Sequence, residues 1–113
     1  MITTDAAAIA LEHEPVANAQ VVEGSPQTGW VELASSEQGE WGVWEMTPGA
    51  MSDFEVDETF VVVAGHATLE RHLDDQLVVE ELFPGVCVTL IAGEETIWRV
   101  SKTLRKVYFA PVS

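Results

Sequence analysis

Hydrophobic and polar positions alternate along this chain with a period of two, in short runs separated by turn residues. From Trp30 onward the runs cover residues 30–34, 40–46, 51–56, 58–64, 66–72, 77–82, 86–91, 95–100 and 103–110. Between them stand Ser35-Ser36, Pro48-Gly49, Gly65, Asp74-Asp75, Pro84-Gly85 and Ala92-Gly93. Helical periodicity is almost absent. Short strands at this spacing predict an all-β sandwich or barrel. Residues 58–64 depart from the alternation. Glu58, Phe60, Val62 and Ala64 share one face, and Thr59, Val61 and Val63 the other, so both faces are largely apolar. Such a strand must be covered twice: by an opposing sheet, and by a loop, the N-terminal arm or a second subunit.

Residues 1–27 read as an extended arm, and residues 28–113 as one domain. Asp5 is placed to cap a helical turn through the alanines to Leu11, and Pro15 stops any helix there. Part of the arm is expected to be mobile unless a partner chain holds it.

Charge narrows the range of partners. Nineteen acids face five bases, for a net charge of -14. That opposes nucleic acid and anionic membrane as partners. Residues 1–95 carry every acid and only Arg71 among the bases, a net of -18, while residues 96–113 carry Arg99, Lys102, Arg105 and Lys106 with no acid, a net of +4. The basic tail reads as a hairpin lying beside acidic neighbours, with Arg105 and Lys106 exposed. The single cysteine, Cys87, sits between two valines and reads as a small buried apolar residue. No disulfide, basic leader or long apolar span is evident, so a cytoplasmic location is the expectation.

Two frames carry chemistry. Glu58 followed by six residues and Gly65 is one; Gly85, five residues, Ile91-Ala92-Gly93, two residues and Thr96 is the other. They resemble the two conserved motifs of the cupin superfamily. The pieces W44-E-M-T-P-G49, I97-W-R-V-S101 and L104-R-K-V-Y108 resemble the small single-domain cupins related to ureidoglycine aminohydrolase and the ethanolamine-utilisation cupin. The resemblance covers roughly residues 40–110. It implies a double-stranded β-helix, a jelly-roll barrel with one open mouth.

Metal-dependent members of that family hold an ion with three histidines and the glutamate. Carried over by position, only Glu58 is present. The histidine pair falls at Met51 and Asp53, or at Ser52 and Phe54. The third histidine is Thr96, and the family's asparagine is Val100. One carboxylate and a hydroxyl do not replace three imidazoles. Asp53, Glu55, His66 and His72 are candidate stand-in ligands, but nothing in the frame aims the two histidines at Glu58, so no metal or other cofactor is expected.

The remaining candidate is Glu58, facing inward beside Phe60 and Val62, with Trp98 across the barrel. In such surroundings a carboxyl is desolvated, which is how a general acid or base is made. Two other readings stay open: ligand binding without chemistry, and a structural glutamate bonded to Thr96 or a tryptophan N–H. Trp44, Phe60, Thr96 and Trp98 are the candidate ligand wall, or core filling. The expectation is a cupin binding a small polar metabolite, nitrogen-containing or carboxylate, inside its barrel. It is either a metal-free enzyme using Glu58 or a non-catalytic sensing or structural protein. A homodimer is expected, because the two-faced strand and the valines at 78–79 and 107 exceed what one small barrel encloses.

Overall fold

The computed structural model describes residues 3–112; the first two residues of the arm and Ser113 lie outside it. Nine strands and no helix are present among the described residues: β1 Glu14–Pro15, β2 Val21–Glu23, β3 Gln27–Ser36, β4 Gly39–Met46, β5 Gly49–Phe54, β6 Glu58–Leu73, β7 Gln76–Leu82, β8 Cys87–Leu90 and β9 Glu95–Pro111. The all-β fold expected from the alternation is present, and it is the jelly-roll that the resemblance implied.

Two runs join where breaks were expected. The runs at 58–64 and 66–72 form the single strand β6, and those at 95–100 and 103–110 form β9. The basic segment is therefore one bent strand and not a hairpin. β6 and β9 pair antiparallel from Thr59↔Phe109 to His72↔Glu95, with irregularities between Val62 and Ala67. The first half of β9 also pairs with β5 and the second half with β4, so one strand serves both layers. β7 and β8 extend β6 on its far side.

The irregularity is built on Gly65. Its φ is +92°, and a Cβ there would sit 2.0 Å from the Thr103 carbonyl oxygen. Only glycine lets β6 pass that close to β9. The bulge changes the phase of the strand. Phe60 and Val62 point inward before it, Ala67 and Leu69 after it. In β9 the even positions Thr96, Trp98, Val100, Leu104, Lys106 and Tyr108 are all buried.

The core gathers Met46, Met51, Phe60, Val62, Leu69, Leu82, Leu90, Trp98 and Leu104 between the layers. The arm lies against the body. β1 pairs with β3 and β2 with β5, Val16 joins the core, and the Ala6 carbonyl accepts from Arg105 Nη1 at 3.1 Å. Asp5 closes a turn by accepting from the Ala7 N–H at 3.0 Å, without a longer helix.

Two burial expectations are corrected. Cys87 is exposed, because Val88 and Leu90 take the inward positions of β8 and leave Cys87 facing out beside Val61. Arg105 and Lys106 are both buried, Arg105 beneath the arm and Lys106 inside the barrel. Among the described residues no helix is long and apolar enough to cross a membrane.

Candidate functional site

Lys106 is the centre of the barrel's polar interior. Its inward phase on β9 carries the ammonium between the two layers. Nζ donates to Glu58 Oε2 at 2.6 Å. The same atom lies 4.7 Å from the Trp44 ring centroid, 4.5 Å from that of Phe60 and 4.6 Å from that of Trp98. The Lys106 side chain is 5% exposed and that of Glu58 15%. Ring faces carry negative potential, so the three aromatics stabilise the desolvated ammonium and Glu58 neutralises it. Glu58 is therefore a partnered carboxylate, where the sequence suggested one stranded among apolar side chains.

The donors expected at Glu58 serve its neighbour. Thr96 Oγ1 donates to Glu55 Oε2 at 2.6 Å, and Trp98 Nε1 donates to the same oxygen at 3.1 Å. Burial pushes Glu55 above the ordinary glutamate range; the Thr96 bond opposes that shift. Asp53, across from Thr96 in the β5–β9 register, is also pushed up by burial. The bond from its neighbouring Phe54 N–H and the charge of Lys106 pull it down, while the charge of Glu58 adds to the rise.

In front of this cluster lies a cavity of about 230 Å³, lined by Trp30, Glu40, Trp44, Val56, Glu58, Tyr108 and Ala110. It is the barrel mouth. Glu58 and Trp44 belong both to this wall and to the Lys106 cage. Phe60, Thr96 and Trp98 are nearly sealed from solvent and stand behind the wall: Phe60 and Trp98 against Lys106, Thr96 on Glu55. Tyr108 lies flat over Gly42, where a Cβ would sit 2.3 Å from the phenol oxygen. Burial, then the charges of Glu40, Glu58 and Glu32, push the phenol up to about 12, so it stays protonated at neutral pH.

Sequence reasoning missed Lys106, Glu55, Tyr108, Trp30 and Glu40. The signal for Lys106 was present. Extending the inward phase of Thr96, Trp98 and Val100 through 104 to 106 aims it into the barrel.

Other polar clusters are already satisfied. Arg71 donates from Nε to Glu94 Oε1 at 2.8 Å and from Nη2 to Oε2 at 3.0 Å, closing the turn before β9. His66 bonds Ser101 and Glu81, and His13 bonds Glu45. Among the described residues no group of three histidine, cysteine or acidic side chains converges as a metal site would.

The jelly-roll with a polar interior and a lined mouth defines this molecule as a cupin, of the small-molecule-binding type. The family model of the EutQ-like cupin domain matches residues 33–108, and the chain belongs to that family. The EutQ protein of Clostridium difficile superposes with a TM-score of 0.58 at 20% identity, over 78% of this chain and 65% of that one. A protein of unknown function from Pseudomonas syringae pv. tomato gives 0.72 at 20% identity, over 91% of this chain and 45% of that one. An ethanolamine utilization protein Q structure from Salmonella typhimurium gives 0.60 at 13% identity, over 92% and 97%. The chain thus spans about two thirds of the Clostridium protein and less than half of the Pseudomonas one. No curated protein sequence matches.

The metal that the fold family implies does not fit these residues. Lys106 already places a positive charge on Glu58 at 2.6 Å. Thr96 is spent as a donor to Glu55, and no imidazole faces either carboxylate. A cation entering here would meet a fixed ammonium and a set of ligands too hard and too few for a transition metal.

Proposed function

We propose that this cupin binds a small polar metabolite at the barrel mouth and exchanges a proton with it through Glu58, with Lys106 as the positioning cation. The observation that carries this reading is the buried Glu58–Lys106 pair standing directly behind a cavity of which Glu58 is itself a wall. A ligand O–H or N–H beside Glu58 gives its proton to the carboxylate. Lys106 Nζ, 2.6 Å from Glu58 Oε2, holds the carboxyl group at the wall while the proton moves. Tyr108, still protonated, supplies a hydroxyl at the same wall. The ring cage keeps Lys106 in place throughout the transfer.

Binding without turnover is the second reading. It draws support from the same ion pair, which already engages Glu58 Oε2 with the Lys106 ammonium at 2.6 Å. One comparison separates the two. A thermal-shift screen of metabolites on the parent protein identifies ligands, since anything that binds only the folded state raises its melting temperature. Glu58→Gln then removes the base while keeping the shape. The acid–base reading expects ligand affinity within about tenfold of the parent and turnover lost by 100-fold or more. Turnover that survives Glu58→Gln overturns it. A ligand that binds the parent and is never consumed establishes the second reading.

A further inference from the structure

We propose that the metabolite held at the mouth is an organic monocation, a protonated alkylamine seated between Trp30, Trp44 and Tyr108 with Glu40 and Glu58 as its counter-charges. This rests on the reading that the mouth is the ligand site and adds the class of ligand. The wall contributes three aromatic side chains and two carboxylates, and no lysine, arginine or histidine. An anion entering the cavity would face Glu40 and Glu58 with no basic side chain to meet it, because the ammonium of Lys106 is committed to Glu58 behind the wall.

The molecule already displays the recognition that this wall would use. Trp44 holds the Lys106 ammonium at 4.7 Å on the inner side of the cavity, and its ring also lines the cavity. An exogenous ammonium would repeat that contact on the outer side. A second, independent feature is the Tyr108 hydroxyl. Tyr108 lines the cavity, and its hydroxyl is open to solvent there and makes no hydrogen bond to another described residue. Its oxygen accepts an N–H from an amine as readily as it would accept one from water. The rim shows an excess of negative charge as well. Glu40 is pushed up by a side-chain hydrogen bond with Glu32, then by partial burial and by the Glu32 charge. A bound cation would relieve that repulsion.

The volume sets the size. About 230 Å³ corresponds to roughly eight waters' share of liquid, room for a ligand of about five to ten heavy atoms. Val56 and Ala110 supply apolar contact for a short alkyl chain.

The test is a charge-matched series on the full chain: n-butylamine, 1-butanol and butyrate, near pH 7.5, read by calorimetric titration and tryptophan fluorescence. The expected result is binding of butylamine at least about tenfold tighter than of butanol or butyrate, since one desolvated cation–π contact with its counter-charge is worth about that factor. Glu40→Gln, at the exposed rim where folding is not at stake, and Trp30→Leu should each weaken butylamine by about fivefold to tenfold. Butyrate or butanol binding as tightly as butylamine overturns the class of ligand but leaves the mouth as the site. Butylamine binding unchanged in both variants overturns the location. If no member of the series binds, the cation proposal falls. The wider metabolite screen with Glu58→Gln then decides separately whether the mouth is a ligand site at all.

Discussion

At the scale of single residues, the interior is a set of titratable groups held by different partners, and each leaves its own mark on pH dependence. Glu55 and Asp53 are both raised by burial. A carboxyl raised on folding binds protons more tightly folded than unfolded. The stability it contributes is fully present below its unfolded value and is lost as pH rises through its folded value. For Glu55 that window opens at the ordinary glutamate value of 4.5 and runs upward. Glu55→Gln keeps an acceptor for Thr96 and Trp98 and cannot ionise. Its melting temperature should therefore fall less than the parent's between pH 4.5 and 7; parallel curves would show that Glu55 is not raised. The same scale shows what the sequence disclosed. Glu58, Phe60 and Trp98 were legible as inward residues, because residues of one parity share a face of a strand and the two motif frames set which face turns inward. Lys106 was not, because a basic residue in a basic tail reads as surface. Its burial depends on Trp44 of β4, Phe60 of β6 and Trp98 eight residues back on its own strand, a cage that only the folded barrel assembles. Glu55, just past the end of β5, was named only as a stand-in ligand and not as the partner of Thr96 and Trp98.

At the scale of elements, the long strands decide the architecture. From Trp30 onward nearly every strand position was readable from the alternation, but the joins were not, and neither were β1 and β2 in the arm. Gly65 and residues 101–103 look like turns, and both are bends inside continuous strands. A bulge and a turn share the same residue types, and only the partner strand tells them apart. Gly65 is the pivot of β6. Replacing it with alanine adds a Cβ at a φ of +92° and against the Thr103 carbonyl. The strain of the left-handed backbone alone is about 1–3 kcal/mol, and the clash with main-chain atoms adds to it. Gly65→Ala should lower the unfolding free energy by about 3 kcal/mol or more in a denaturant titration. A loss under about 1 kcal/mol would mean that β6 reaches its second half without the bulge.

At the scale of the whole molecule, two features organise behaviour: an outer apolar face and the ion pair that ties the longest strands together. On the outer face Trp41, 52% exposed, stacks on Phe109 at 5.0 Å, beside Val107 and Val61 of the neighbouring strands. We propose that a second copy covers this face as a two-fold dimer. A stable interface buries about 800 Å² on each partner, enough to outweigh repulsion between two acidic chains when its centre is apolar. Light scattering at micromolar concentration and moderate salt should give about twice the chain mass, and Trp41→Glu should give a monomer. A monomeric parent would refute the dimer.

The account as a whole rests on the Lys106–Glu58 bond, which joins β9 to the start of β6 inside the barrel and puts an ammonium behind the ligand site. Removing one partner of a buried pair leaves the other charge uncompensated, at about 3–5 kcal/mol, while removing both leaves a nearly neutral apolar core. A double-mutant cycle of Glu58→Gln, Lys106→Met and the combined variant, read by chemical denaturation at pH 7.5, measures the coupling directly. The predicted result is a coupling energy of about 2 kcal/mol or more, with the double variant more stable than either single one. Single-variant losses that simply add, within about 0.5 kcal/mol, would contradict a fixed cation at the heart of this site.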